Sequence, residues 1–281
     1  MRFAKGHGTG NDFVVVPDFD NELDLAPELV AALCDRHFGV GGDGVLRVVR
    51  TAAVGDDQPA EWFMDYRNAD GSVAEMCGNG VRVFARYLLE EELCRGPEVA
   101  IATRAGTRTV RVEPDGRFTV DMGGAEVLGE GSVVVGGREL TGLAISVGNP
   151  HVACMIDEPV AGVDLSAPRV LAPAGLAGGA NIEIVRWLGE REIEMRVHER
   201  GSGLTLSCGT GAVAAVVAAA AVMGEWPARP AGWTVHVPGG TLAVTPSATT
   251  SLLTGPAEIV ARGELAAGWA ARPAPVGLGA A

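Results

Sequence analysis

Two short motifs, Met-Cys-Gly-Asn-Gly at 76–80 and Ser-Cys-Gly-Thr-Gly at 207–211, stand 131 residues apart, and each opens an apolar run of helical length. Nine residues before each cysteine a polar pair opens a turn: Asn68-Ala69-Asp70-Gly71 ahead of Cys77, and Glu199-Arg200-Gly201-Ser202-Gly203 ahead of Cys208. Further upstream, Gly10-Asn11-Asp12-Phe13 has a partner in Gly148-Asn149-Pro150-His151. Three anchors recurring in one order imply a duplicated chain, so the fold must supply two similar halves.

Local patterns say what each half contains. The segment 11–16 reads as a strand, and 26–37 as a helix with Pro27 in its first turn and Gly39 just past its end. Residues 99–104, 107–113 and 117–122 alternate apolar and polar side chains, with Pro114-Asp115-Gly116 as a tight turn, which predicts a β-meander. Strands are expected again at 143–147, 152–156, 182–187 and 193–198, followed by a long helix from Thr210. The helix after Cys77 carries Val81, Phe84, Ala85, Leu88 and Leu89 on one side, with Arg82, Arg86 and Glu90 to Glu92 elsewhere, which predicts an amphipathic helix. The helix after Cys208 is Ala and Val all round until Gly224, so it is expected to be covered on every side, each helix lying within a curled sheet of its own half. The Ala-, Gly- and Pro-rich stretch 266–281 is expected to be a frayed tail.

Composition narrows the chemistry. A formal charge of −13 without clustered Lys or Arg argues against a nucleic-acid surface. The N-terminus lacks an apolar leader, and the longest apolar run, 212–223, is too short to span a bilayer, so no membrane association and a cytoplasmic location are expected. The only lysine is Lys5, beside the first expected strand, a poor Schiff-base candidate, which makes a pyridoxal phosphate cofactor unexpected. Five cysteines, Cys34, Cys77, Cys94, Cys154 and Cys208, show no paired ligand spacing, so neither a disulfide framework nor a metal site is expected. Cys34, Cys94 and Cys154 read as small buried hydrophobes.

Cys77 and Cys208 read differently. A cysteine followed by Gly-x-Gly and a helix places its thiol beside free backbone N–H groups, whose partial positive charge stabilises a thiolate and is expected to lower its pKa. The same N–H groups make an anion site, and the glycines admit a carboxylate to the backbone. Stereoinversion needs a base on one face of a carbon and an acid on the other, and a duplicated fold offers both.

The motifs Gly-Thr-Gly-Asn-Asp-Phe, Asn-Ala-Asp-Gly-Ser, Met-Cys-Gly-Asn-Gly, Gly-Asn-Pro-His, Glu-Arg-Gly-Ser-Gly and Ser-Cys-Gly-Thr-Gly together resemble the diaminopimelate epimerase family, in family order and over most of the chain. The resemblance implies an isomerase that interconverts LL- and meso-2,6-diaminopimelate without metal or cofactor, in the bacterial route to lysine and cell-wall cross-links. It implies an α/β (α+β) fold of two pseudo-symmetric lobes, each a curled, mostly antiparallel sheet around a central helix, with the active site in the cleft between, and usually a homodimer. The N-terminal lobe is expected to span residues 1–120, with 255–281 returning to it, and the C-terminal lobe 121–254.

Carried over motif by motif, the resemblance implies Cys77 and Cys208 as the catalytic acid/base pair, with Gly78, Asn79, Gly209 and Thr210 on the reacting carboxylate. Asn11, Asn68, Asn149, Asn181, Glu199 and Arg200 fall where the family places substrate contacts, and His151 and Glu199 where it tunes the two thiols. Arg200 suits a second carboxylate, since its planar fork grips one bidentately. Each asparagine also has an ordinary reading as a turn residue, and Glu199 and Arg200 as a surface ion pair. Two positions depart from the family pattern: Gly44, where relatives sometimes carry Gln, and Leu204, where an acidic residue is expected. The rival readings are a two-thiol racemase of another amino acid, such as proline or hydroxyproline, and a non-catalytic binding protein in which the two thiols form a redox switch.

Overall fold

The computed structural model describes residues 1–172, 176, 178–247 and 249–269. The first half holds β1 (Arg2–Gly8), β2 (Asn11–Pro17), α1 (Pro27–Cys34), β3 (Gly44–Arg50), β4 (Trp62–Asn68), α2 (Gly78–Glu90), β5 (Glu98–Ala102), β6 (Arg108–Val112) and β7 (Phe118–Asp121). There follow β8 (Glu126–Val135), β9 (Arg138–Ser146), β10 (Pro150–Ile156), β11 (Arg169–Ala172), β12 (Asn181–Gly189), β13 (Glu192–Glu199) and β14 (Gly203–Thr205). The chain continues with α3 (Gly209–Val222), β15 (Trp233–Val237), β16 (Gly240–Pro246), β17 (Ser251–Gly255) and β18 (Glu258–Glu264).

The strand pairings show the duplication directly. β1 runs antiparallel to β2, β2 parallel to β3, β3 antiparallel to β4 and β4 parallel to β5, and β5, β6 and β7 form an antiparallel meander. β9, β10, β12, β13, β15, β16 and β17 repeat that series of parallel and antiparallel steps. The two halves exchange a strand. β8 follows the first meander but pairs with β9, and β18 follows the second meander but pairs with β1. A further antiparallel pairing, β7 with β17, joins the halves at the ends of their meanders.

Each half folds around its own helix. α2 contacts β1 to β7 and β18, while α3 contacts β9, β10, β12, β13 and β15 to β17. Residues Gly211 to Ala220 of α3 are all buried, so its Ala and Val side chains meet strands on every side. Each buried Val contributes roughly 1.5–3 kcal/mol, and the Ala positions keep the helix slim enough to be wrapped. Gly224, at φ +70°, closes the helix as the sequence predicts.

Three local expectations change. The helix predicted over 26–37 stops at Cys34, because the Asp35 carboxylate accepts hydrogen bonds from the backbone N–H groups of His37 and Phe38 and so competes with the next helical turn. α2 is amphipathic only toward its end: its first turns are enclosed, and Arg82, expected on the polar side, is fully buried. Residues 266–269 of the predicted frayed tail are ordered against the core. Trp269 donates its backbone N–H to Ala266 and packs against the cluster that includes Leu33 and Val30 of α1, while residues 270–281 lie outside the described residues.

Candidate active site

Cys77 is the N-cap of α2 and Cys208 the N-cap of α3, in nearly the same backbone conformation (φ −141°, ψ 118° and φ −124°, ψ 122°). Each sulfur accepts the backbone N–H three residues on, from Gly80 and from Gly211, at 3.4 Å in both cases. The helices meet at these ends. A Cβ built on Gly209 would lie 3.4 Å from the Gly78 Cα and 3.7 Å from the Asn79 nitrogen, at van der Waals distance, so the two N-termini abut.

Around this junction lies a cavity of about 530 Å³. Both cysteines line it, as do Gly78, Asn79, Gly209 and Thr210 at the helix starts. Asn11, Asn68, Asn149, Asn181, Glu199 and Arg200 line it as well, so sequence positions spread over nearly 200 residues converge on one space. His151 alone of the predicted residues stands behind the wall, fully buried. A second hollow of about 700 Å³ shares Asn11, Tyr66, Cys77 and Glu199 with the first.

The polar groups are held in defined orientations. The Asn11 side-chain nitrogen donates to Asp43 (2.7 Å), which turns its oxygen toward the Cys77 thiol (3.6 Å) and the Asn79 amide (3.2 Å). Asn79 also donates to the Ser207 carbonyl (3.0 Å), tying the two cysteine loops together. Asn68 still serves its turn, with its backbone N–H on Ser72, while its side chain lines the cavity. The Asn181 oxygen accepts the Arg200 backbone N–H (2.9 Å). The Arg200 guanidinium reaches only the carbonyls of Gly178 and Gly179 (3.3 Å each) and has no carboxylate partner among the described residues, so the ordinary ion pair with Glu199 does not form. Glu199 instead accepts from Thr205 (2.5 Å).

The electrostatics reverse one expectation. Burial pushes the Cys77 thiol up to about 11, outweighing the Gly80 N–H that favours its thiolate, and the Glu199 charge adds to the rise. Burial, followed by the charges of Glu199 and Glu183, raises Cys208 well above the ordinary thiol range, against the opposing hydrogen bonds from Thr210 and Gly211. Helix N-termini stabilise a thiolate, but here the loss of water costs more than two N–H contacts return. Burial likewise raises Glu199. Of the remaining cysteines, Cys34 and Cys154 are buried as expected and pushed up to about 12 by burial, whereas Cys94 is only half-buried against the main core; all five are free thiols.

Several residues at the site escape sequence reasoning. Arg82 donates to Asn79 (2.8 Å) and to the Gly78 carbonyl (3.3 Å), with no carboxylate beside it, and burial lowers its pKa to about 10. Glu183 is fully buried against His151. Arg108 lines the cavity and is indistinguishable in sequence from the surface arginines around it. Tyr66 lines both hollows, and it also explains Gly44: a Cβ there would fall 2.8 Å from the Tyr66 ring and 2.4 Å from the Arg67 carbonyl. Leu204 sits exposed at the rim of the second hollow. Lys5 is held by Asp12 and the Gly41 carbonyl. No helix among the described residues is long and apolar enough to cross a membrane.

A duplicated sheet wrapped around two helices that meet end to end is a two-half α/β fold with known structural members. A hydroxyproline epimerase from Agrobacterium vitis superposes with a TM-score of 0.64 at 13% identity, covering 94% of this chain and 91% of its own. A PhzF-family phenazine biosynthesis protein from Bacillus anthracis gives 0.62 at 16% identity, covering 95% and 99%. At sequence level the profile of diaminopimelate epimerase matches residues 3–128 and 143–260, and the chain belongs to the diaminopimelate epimerase family, a family of isomerases. Its relatives named diaminopimelate epimerase include those of Thermobifida fusca, 55% identical over 94% of this chain and 98% of that protein, and Streptomyces coelicolor, 53% identical over 96% of each. That of Mycobacterium tuberculosis is 50% identical over 96% of this chain and 98% of its own.

Proposed function

We propose that the chain interconverts LL- and meso-2,6-diaminopimelate, with Cys77 and Cys208 as the opposed acid/base pair. The observation that carries the reading is the abutting of Gly78 and Gly209, which directs two helix N-termini, each capped by a cysteine, into one cavity. The N–H groups at Gly78, Asn79, Gly209 and Thr210 cradle the reacting carboxylate. One thiolate takes the α-proton while the opposite thiol delivers another to the far face, so the two sulfurs end with exchanged protonation and the return reaction reverses their roles. No cofactor takes part. The weakly acidic α-proton demands a dry site in which the helix N-termini oppose developing charge, and lobes 1–120 (with 255–281) and 121–254 close around the substrate to provide it. His151 and Glu199 tune the thiols. Arg200, a cation without a carboxylate partner, takes the distal carboxylate together with Asn11, Asn68, Asn149 and Asn181. The working form in this reading is a cytoplasmic homodimer.

The test is incubation of the reduced protein with LL-diaminopimelate in deuterated water, following configuration and α-deuterium together. Inversion with deuterium at the inverted carbon is expected, and Cys77→Ala and Cys208→Ala are each expected to lose it by at least about 1,000-fold. Absence of inversion by the intact protein ends the reading. The hydroxyproline epimerase fold favours one rival, so trans-4-hydroxy-L-proline belongs in the same assay; a substrate with one carboxylate leaves Arg200 unpaired and is expected to remain unchanged.

A further inference from the structure

The duplication allows the two cysteine helices to be compared position by position. In the β2–β3 ladder Phe13 lies opposite Gly44 and Val15 opposite Leu46; in β10–β12 His151 lies opposite Asn181 and Ala153 opposite Glu183. His151 is therefore the counterpart of Phe13, and Glu183 of Leu46. Both pairs back the same spot. A Cβ on Gly80, in the first turn of α2, would lie 3.2 Å from Leu46 and 3.6 Å from Phe13, and a Cβ on the equivalent Gly211 of α3 would lie 2.7 Å from the Glu183 carboxylate. One half supports its cysteine helix with two apolar side chains, the other with a histidine and a glutamate that are both fully buried.

Burying a carboxylate and an imidazole where an apolar pair would pack costs stability, so the arrangement needs a return. A hydrogen-bonded chain supplies it. Glu183 Oε1 lies 2.7 Å from His151 Nδ1, His151 Nε2 lies 3.0 Å from Asn149 Oδ1, and the Asn149 amide donates to Thr210 Oγ1 at 3.3 Å. Thr210 Oγ1 in turn stands 3.4 Å from Cys208 Sγ. With its oxygen occupied by the Asn149 amide, the Thr210 hydroxyl has its proton free for the sulfur. Cys77 is served by a different chain, without histidine or hydroxyl: its thiol meets the oxygen of Asn11, whose amide donates to Asp43.

Resting on the two-cysteine reading above, we propose that Glu183 is a positioning residue for Cys208 alone: as a neutral carboxylic acid it donates its proton to His151 Nδ1, which leaves Nε2 protonated toward the Asn149 oxygen, and thereby directs the Thr210 hydroxyl at the sulfur. The ionisable groups facing Cys208 are Glu199 from β13 and Glu183 from β12, with His151 of β10 acting on both carboxyls and Cys154 of β10 beside Glu183. Glu183 Oε2 has no hydrogen-bond partner among the described residues, so His151 is the single side-chain anchor of this carboxyl group.

The experiment compares Glu183→Gln, Glu183→Leu and Thr210→Val in two measurements, kcat and KM with diaminopimelate, and the pH dependence of iodoacetamide alkylation read separately at Cys77 and Cys208 by mass spectrometry. Glu183→Gln can still donate to His151 Nδ1 and keeps kcat within about threefold, whereas Glu183→Leu lowers kcat about 100-fold with KM little changed, the loss expected when a reacting group is misplaced. Thr210→Val moves the Cys208 alkylation profile to higher pH by removing the hydroxyl donor. All three leave the Cys77 profile in place. Should Glu183→Leu fail to fold, the double variant His151→Phe with Glu183→Leu installs the apolar pair of the other half and carries the same expected loss. Wild-type kcat in the leucine variants, failure of glutamine to rescue, or equal movement of both cysteine profiles overturns the proposal. Activity surviving in Cys208→Ala overturns the two-cysteine reading itself, independently of Glu183.

Discussion

Glu199 stands between the two thiols electrostatically, since its charge raises both Cys77 and Cys208. A base with a raised pKa is mostly protonated at neutral pH, so its reactive fraction grows as pH rises; kcat/KM is expected to climb from pH 6 toward pH 9. Removing the charge lowers both thiols, which shifts the rising limb to lower pH. Alkylation of substrate-free Glu199→Gln should show both cysteines reacting at lower pH than in the parent protein, and unchanged profiles would mean that Glu199 does not govern them. Asp65 illustrates charge used for a different purpose. Burial opposes its ionisation, but Arg67, Arg104 and Arg47 surround it and hold its carboxyl below the usual range, so this cluster organises β3 and β4 rather than chemistry.

At the scale of elements, the junction of α2 and α3 is governed by what glycine omits. A Cβ on Gly78 would sit 2.7 Å from the Met122 side chain, and one on Gly209 would sit 3.0 Å from Leu253 as well as against Gly78. Gly209→Ala is expected to press on the Leu253 side chain and shift the start of α3, costing about 1–3 kcal/mol of stability and about 100-fold in kcat/KM through displacement of Cys208. Thermal unfolding and steady-state kinetics on one preparation separate the two effects, and full activity in that variant would show that the start of α3 tolerates displacement. α3 was legible before any coordinates because an all-apolar helix has one solution, to be wrapped. β3 and β4 were not, since their buried runs show no alternation of polar and apolar side chains for the eye to follow.

For the whole molecule, the exchanged strands decide how the halves are held. β18 comes from the end of the described chain and covers β1 at its beginning, as β8 covers β9. A chain ending at Pro256 would leave β1 with an unpaired edge and uncover part of α2, against which β18 packs. That truncation is expected to unfold at markedly lower temperature than the full chain and to aggregate. Equal melting temperatures for the Pro256 truncation and the full chain, by calorimetry, would remove the strand from any structural role.

The sequence alone determined that the chain is duplicated, that each half winds around one helix, and that two cysteines cap those helices, because repeated motifs and unbroken apolar periodicity are local properties. It also marked Asn11, Asn68, Asn149, Asn181, Glu199 and Arg200, which the fold gathers at one cavity. Only the tertiary structure decided the sign of the thiol pKa shifts, since desolvation depends on what closes over a residue rather than on its neighbours in the chain. It likewise decided that Arg82 is internal and that Glu183 stands behind Cys208 where Leu46 stands behind Cys77. Both are ordinary polar letters in a polar-apolar text, and they acquire meaning only when distant strands fix which way their side chains point.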